Sequence, residues 1–166
     1  MEPFSARAFG YGSLAVSAER ALTAAREQLG VRRAALFWLD DAGGRLACVS
    51  TTSVGNAGGA DGWLGQTLEA GVGMAGRAVR EGRPVWTPDL LADPRVPIAP
   101  WLRERLEAEH LRVVAAAPVR VDGVVRGALG LLDGPGRTYD DEALRRIAIL
   151  ADEVAADLAR AASAAS

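Results

Sequence analysis

Residues Glu69–Asp89 read EAGVGMAGRAVREGRPVWTPD. Gly71-x-Gly73 makes a turn that opens a short helix, about Met74–Glu81, with a face of small residues: Met74, Ala75, Gly76, Ala78 and Val79. Gly82 ends it, because glycine takes the left-handed conformation of a helix end at little cost. Arg83-Pro84-Val85-Trp86 then starts a strand, Val85–Thr87. The glycines do not form a phosphate loop, since no buried strand precedes them and no Lys-Ser/Thr pair follows. They read as packing and turn residues in the wall of a buried pocket. The segment itself contains no catalytic group.

Working outward, Ser13 is placed to cap a helix ending at Gly30, with Leu14, Ala18, Ala21, Leu22, Ala25 and Leu29 on one stripe. Residues 34–39 (AALFWL) are apolar throughout, as suits a central strand covered on both faces. A turn over Asp41–Gly44 returns the chain as a strand over Leu46–Ser53. Residues 54–63 read as a flexible loop and 64–69 as a short helix. Four prolines between Pro88 and Pro100 make that stretch an ordered, non-helical crossover. A helix follows over Trp101–His110. Val113–Val121 and Val124–Leu132 flank Asp122-Gly123, a pair suited to the positive φ angles of a tight hairpin turn. Thr138 and Asp140 cap a last helix from Asp141 to about Ala162. Residues 1–12 read as irregular, 13–162 as a single domain and 163–166 as a disordered tail. Strand pairs with segregated helices, lacking βαβ alternation, predict an α+β fold on an antiparallel sheet.

Composition narrows the function. The 166 residues suit one domain with a substantial core. All 19 basic residues are arginine, interspersed with acids to a net charge of −2, so there is no basic stripe for nucleic acid. A single cysteine, Cys48, excludes an intrachain disulfide and points to a cytoplasmic protein. No segment has the length of a membrane span or the apolar centre of a signal peptide. One histidine, His110, and one distant cysteine do not make a metal site.

Several of these pieces, in this order, resemble the GAF family, small-molecule sensory modules of bacterial signalling proteins. They are Gln28-Leu29-Gly30 leading to Leu39-Asp40; Gly71-Val72-Gly73-Met74-Ala75-Gly76; Arg83–Asp89 with Asp93-Pro94; Val113–Val119 with Pro118; and Gly123, Gly127 and Leu129–Leu132 followed by Tyr139–Glu142. The resemblance covers about residues 14–162. It implies a six-stranded antiparallel sheet of GAF/PAS-like type, with helices on one face and a ligand pocket under crossover loops on the other. It also implies a homodimer through the terminal helices, with a sensor kinase or other two-component output module as partner. The chain departs from some relatives. It lacks the Lys of the cyclic-nucleotide pattern and the several cysteines of methionine-sulfoxide-reducing GAF proteins.

The expected site follows. Trp63, Trp86 and Trp101 fall around the pocket, where aromatics with a polar tip line ligand sites. Val72, Met74, Asp89, Ile98 and Ala99 complete the set, and the helix start at Pro97–Trp101 could receive a small anion. Leu144, Ile147, Ala151, Val154 and Leu158 repeat at heptad spacing. With Leu14, Ala18 and Leu22 they form the expected dimer seam. No Ser/His/Asp set, Cys/His pair or nucleotide motif is present, so the sequence predicts a non-enzymatic sensor of a small molecule or anion, without cofactor. The alternatives are a ligand-free dimerisation scaffold and, less well supported, a haem- or chromophore-binding sensor through His110.

Overall fold

A strand that is apolar on both faces belongs in the middle of a covered sheet, and β1 (Arg33–Leu39) lies there. It pairs antiparallel with β2 (Arg45–Ser53) on one side and β6 (Val124–Asp133) on the other. β3 (Thr67–Glu69) extends the sheet beyond β2, while β5 (Val113–Val121) and β4 (Val85–Thr87) extend it beyond β6, giving the order β3-β2-β1-β6-β5-β4. The computed structural model describes residues 4–40, 42–56, 59–60 and 62–165. The parts of the sequence reading that fall on 1–3, 41, 57–58, 61 and 166 lie outside them. The β5–β6 turn has φ +54° at Asp122 and +78° at Gly123, the positive angles of a primed hairpin turn.

Alternation along β1 divides the molecule into two layers. Ala34, Leu36 and Trp38 face α1 (Gly12–Leu29) and α4 (Asp141–Ala165). Those two helices run antiparallel: Ser13 Oγ donates to Ala161 O at one end of the pair and Arg146 Nη2 to Gln28 Oε1 at the other. Ala35 and Phe37 face the second layer, formed by α2 (Gly73–Glu81), α3 (Pro100–Glu109) and the crossover between β4 and α3. Helices therefore cover both faces, the terminal pair on one and two short ones on the other. Gly76 lets α2 lie against the turn before it, because a Cβ there would stand 2.9 Å from Gly71 N and 3.1 Å from Glu69 O.

The structure corrects the sequence reading at several points. Residues 67–69 form β3, not part of a helix: Leu68 is buried between exposed Thr67 and Glu69, and the three pair with Arg45–Ala47. Ala6–Gly10 is a 3-10 helix that buries Phe9, within a segment expected to be irregular. α1 begins at Gly12, and Ser13 bonds α4 instead of capping its own helix. α4 continues to Ala165 where a disordered tail was expected, carried by a run of alanines, the best helix formers. The expected dimer seam is largely occupied within one chain. Leu14, Ala18, Leu22, Ile147, Ala151, Val154 and Leu158 are buried in the layer between helices and sheet, with Leu144 packed at its edge. Heptad spacing reports an apolar stripe but does not say what covers it, and here the sheet does. Among the described residues no helix is long and apolar enough to cross a membrane.

Candidate functional site

The second layer encloses a buried guanidinium. Arg33 opens β1 on the same face as Ala35 and Phe37 and is 1% exposed. A buried guanidinium is tolerable only when its charge and its donors are met. Nε donates to Glu109 Oε1 at 2.9 Å, Nη1 to Thr51 Oγ1 at 2.9 Å and Nη2 to Gly59 O at 2.9 Å. The guanidinium also lies 4.6 Å from the centroid of the Trp63 ring, within cation–π range. Trp63 Nε1 donates to the other carboxylate oxygen, Glu109 Oε2, at 2.7 Å. Glu109 thus bridges a cation on the central strand and an aromatic from the turn before β3, using one oxygen for each.

Local structure puts each member in place. Glu109 is the last residue of α3, which His110 closes with φ +58°, the left-handed conformation of a C-cap. Arg112 Nη1 donates to Leu106 O and Leu111 O and ties down that end of the helix. Trp63 sits in a turn held by Trp63 N–H to Ala60 O and Gln66 N–H to Trp63 O. Thr51 faces Arg33 from β2, its hydroxyl also donating to Ala34 O.

Beside this network lies an apolar cavity of about 20 Å³ between Phe37, Leu68, Leu132 and Val114 of the sheet and Trp63, Met74, Leu90 and Leu102 of the covering layer. That holds about one water, more than tenfold below the roughly 300–1,000 Å³ of a small-molecule pocket. The space beneath the crossover is therefore closed by the chain's own side chains. A wider depression of about 570 Å³, open to solvent, lies between the 3-10 helix, α1 and β2, away from this layer.

Of the expected site residues, Trp63 and Met74 line the cavity. Val72, Ile98, Ala99 and Trp101 pack around the same layer, with Trp101 edge-on to Trp63 at 5.8 Å and its Nε1 donating to Thr67 O. Two do not belong. Trp86 points to the opposite face, edge-on to Tyr139 at 5.7 Å, because Val85 and Thr87 take the inward positions of β4. Asp89 is a turn former whose Oδ1 accepts from Leu91 N–H. At the start of α3 the Leu102 and Arg103 amides both donate to Ala99 O, and Pro100 has no N–H, which weakens the case for an anion there. Sequence reasoning missed Arg33, Glu109 and Thr51. The one available signal was parity: Arg33, Ala35 and Phe37 share a face.

Burial pushes the Cys48 thiol up to about 12, against a hydrogen bond to Ser50 O and the charge of Arg33. Burial likewise raises the Tyr139 hydroxyl to about 12. The side-chain hydrogen bonds from Arg95 hold Asp93 well below the usual carboxylate range. Among the described residues no group of three His, Cys, Asp or Glu is disposed to hold a metal ion.

Solved structures share this fold. The GAF domain of a phosphoenolpyruvate-protein phosphotransferase from Coxiella burnetii is 20% identical, with a TM-score of 0.69 over 92% of this chain and 86% of that one. The PixJ GAF domain of Thermosynechococcus elongatus, in its blue-light absorbing form, is 19% identical, with a TM-score of 0.62 over 87% of this chain and 84% of that one. A free methionine-R-sulfoxide reductase from Neisseria meningitidis, in complex with its substrate, is 15% identical, with a TM-score of 0.69 over 97% of this chain and 87% of that one. This last structure overturns the expectation that the chain is non-enzymatic. An enzyme is built on the same fold, and chemistry is set by the groups grafted onto a fold, not by the fold. No curated protein matches the sequence. The GAF domain profile matches residues 13–158, most of the sequence and every strand of the sheet, and the chain belongs to the GAF domain family.

Proposed function

We propose that this GAF domain is a sensory, signal-transduction domain that takes a small ligand between its sheet and its α2–α3 layer and relays binding through α1 and α4 to an output module such as a sensor kinase. The observation that carries the reading is the Arg33–Glu109–Trp63 network beside a small apolar cavity: a buried charge and an aromatic side chain close a space that could otherwise receive a ligand. On this reading ligand binding displaces Trp63 and the end of α3 from the closed arrangement described above. A ligand shifts this equilibrium only by its preference for the open form.

A thermal-melt screen of the protein against a metabolite library, read also by tryptophan emission, tests it. A ligand at 100 times its Kd stabilises by about 2.7 kcal/mol, or roughly 5–10 °C at this size. A library with no compound that moves either signal would favour the second reading, a scaffold whose chamber is permanently filled. That reading draws on the 20 Å³ size of the cavity. On either reading self-association would use outward residues of the terminal helices, such as Val16 and Ile149, because the heptad positions are buried inside one chain.

A further inference from the structure

On the opposite face of the sheet from the chamber, Trp38 is fully buried, and its Nε1–H has no hydrogen-bond partner among the described residues. Buried donors are as a rule paired. The indole leans on β6 by its benzo edge: a Cβ at Gly127 would stand 2.7 Å from Cε3 and 3.2 Å from Cζ3. Nε1 is on the other edge of the ring, turned from β6 toward the side of β1 where β2 lies. The 3-10 helix Ala6–Gly10 packs there against β2 and α1, with Phe4 stacked on the indole at 6.1 Å and Phe9 tilted against it at 5.0 Å. The open depression of about 570 Å³ adjoins them. We infer that this depression, with the space under Phe4, is a second ligand site, and that its ligand is a neutral, mostly apolar molecule with a carbonyl-type oxygen that accepts from Trp38 Nε1–H.

The walls select the class. Phe9, Ala15, Ala47, Val49 and Leu64 make the lining mostly apolar, and its volume falls in the roughly 300–1,000 Å³ range of small-molecule sites. An indole N–H is a donor only, so the matching ligand atom is an acceptor. Arg7 and Glu19 stand at the rim, one of each sign and both exposed, so a net charge on the ligand gains from one and loses to the other. A neutral body with one buried acceptor is what remains.

Local backbone shapes the entrance. Leu36 pairs with Ser50 and Phe37 with Cys48, which leaves Val49 as the extra residue of a β-bulge at the floor of the depression. Bulges bend a strand locally and are over-represented beside functional sites. Leu64, 53% exposed, presents an apolar rim to solvent. The cover is a five-residue 3-10 helix that belongs to no strand, so Phe4 can lift from the indole without breaking the sheet. The floor, Trp38, also belongs to the core that α1 and α4 close, so a ligand here reaches the terminal helices without passing through the α2–α3 layer.

Benzophenone and diphenylmethane have nearly the same shape, and only the first has an acceptor oxygen. Titrating each into the full chain labelled with 15N, followed by 1H–15N NMR, tests the inference. Benzophenone should bind about tenfold more tightly, the worth of one buried hydrogen bond, and should move the Trp38 indole N–H proton downfield. Trp38→Phe, which keeps an aromatic body without the donor, should bring the two probes to equal affinity. Phe4→Ala should tighten both, since less of the binding is lost to lifting the cover. Leu64→Arg, at an exposed position, should weaken both at least tenfold with Tm unchanged, and it decides the matter even if Trp38→Phe does not fold. Irradiated benzophenone attaches to nearby C–H bonds, and mass spectrometry should find the adducts on residues 4–10 and 47–49. No binding of benzophenone, equal affinity of the two probes for the native chain, a preference that survives Trp38→Phe, or adducts on α2 and α3 would overturn the inference. The chamber lies across the sheet, so the sensory reading stands or falls separately.

Discussion

Glu109→Ala is the sharpest probe of the buried network. Removing the carboxylate takes the Glu109 ion pair from Arg33, 1% exposed, and the acceptor from Trp63 Nε1. Breaking a buried ion pair from one side costs about 3–5 kcal/mol. Glu109 is itself 16% exposed and Arg33 keeps Thr51 and Gly59, which places the charge contribution at the low end of that range. The orphaned indole N–H adds about 1 kcal/mol. The expected loss is about 3–4 kcal/mol, a fall in Tm of roughly 10 °C for a chain of this size. Glu69→Ala is the matched control: Glu69 pairs with Arg45 at 2.8 Å, but both side chains are more than half exposed, so its removal should cost under about 1 kcal/mol. The double variant Arg33→Met/Glu109→Leu removes both buried charges and should be more stable than Glu109→Ala, since a buried pair replaced by apolar groups is close to neutral. Urea denaturation followed by far-UV circular dichroism measures all three. A Glu109→Ala cost equal to that of Glu69→Ala would refute the reasoning, as would a double variant no more stable than Glu109→Ala.

Three further predictions concern the frame around the site. Gly76→Ala gains about 1 kcal/mol of helix propensity but places a Cβ 2.9 Å from Gly71 N, and such overpacking costs about 1–3 kcal/mol; a melting curve should show net destabilisation. Leu158→Ala, at a fully buried position between α4 and the sheet, should cost about 2–5 kcal/mol, by the same amount at every protein concentration; a cost that varies with concentration would return that residue to a dimer seam. Asp93 has a pKa in the folded chain below its unfolded value of about 3.9, so its stabilising effect is present above that pH and is lost as pH falls through the acid range. Asp93→Asn should flatten the acid side of a plot of Tm against pH, and parallel curves for the two proteins would contradict the assignment.

Much of the fold was legible because its signals are local. The apolar run of 34–39 marked the central strand, and Asp122-Gly123 marked the hairpin that forms β5 and β6. What failed depended on partners distant in sequence. β3 has three residues, and only its pairing with Arg45–Ala47 makes it a strand. The stripe on α4 was read correctly but assigned to a second chain, because spacing does not distinguish a sheet from a partner helix. Trp86 was placed in the pocket although strand parity sends it to the other face; the sequence gives the alternation but not which side faces the chamber. Arg33 escaped notice because a cation at the start of a strand reads as a solvent-facing end. Its burial depends on partners far along the chain, among them Glu109, 76 residues away.

The central claim is that the chamber opens at Trp63 when a ligand binds. Fluorine NMR of the protein labelled with 5-fluorotryptophan tests it directly, because the four tryptophans divide between the layers: Trp63 and Trp101 in the chamber layer, Trp38 and Trp86 against the terminal helices. With a saturating ligand from the metabolite screen, the Trp63 resonance should shift most and Trp101 with it. Trp38 and Trp86 should move little. A Trp63 line unmoved by a bound ligand, or a largest shift at Trp86, would place the ligand elsewhere and contradict the account.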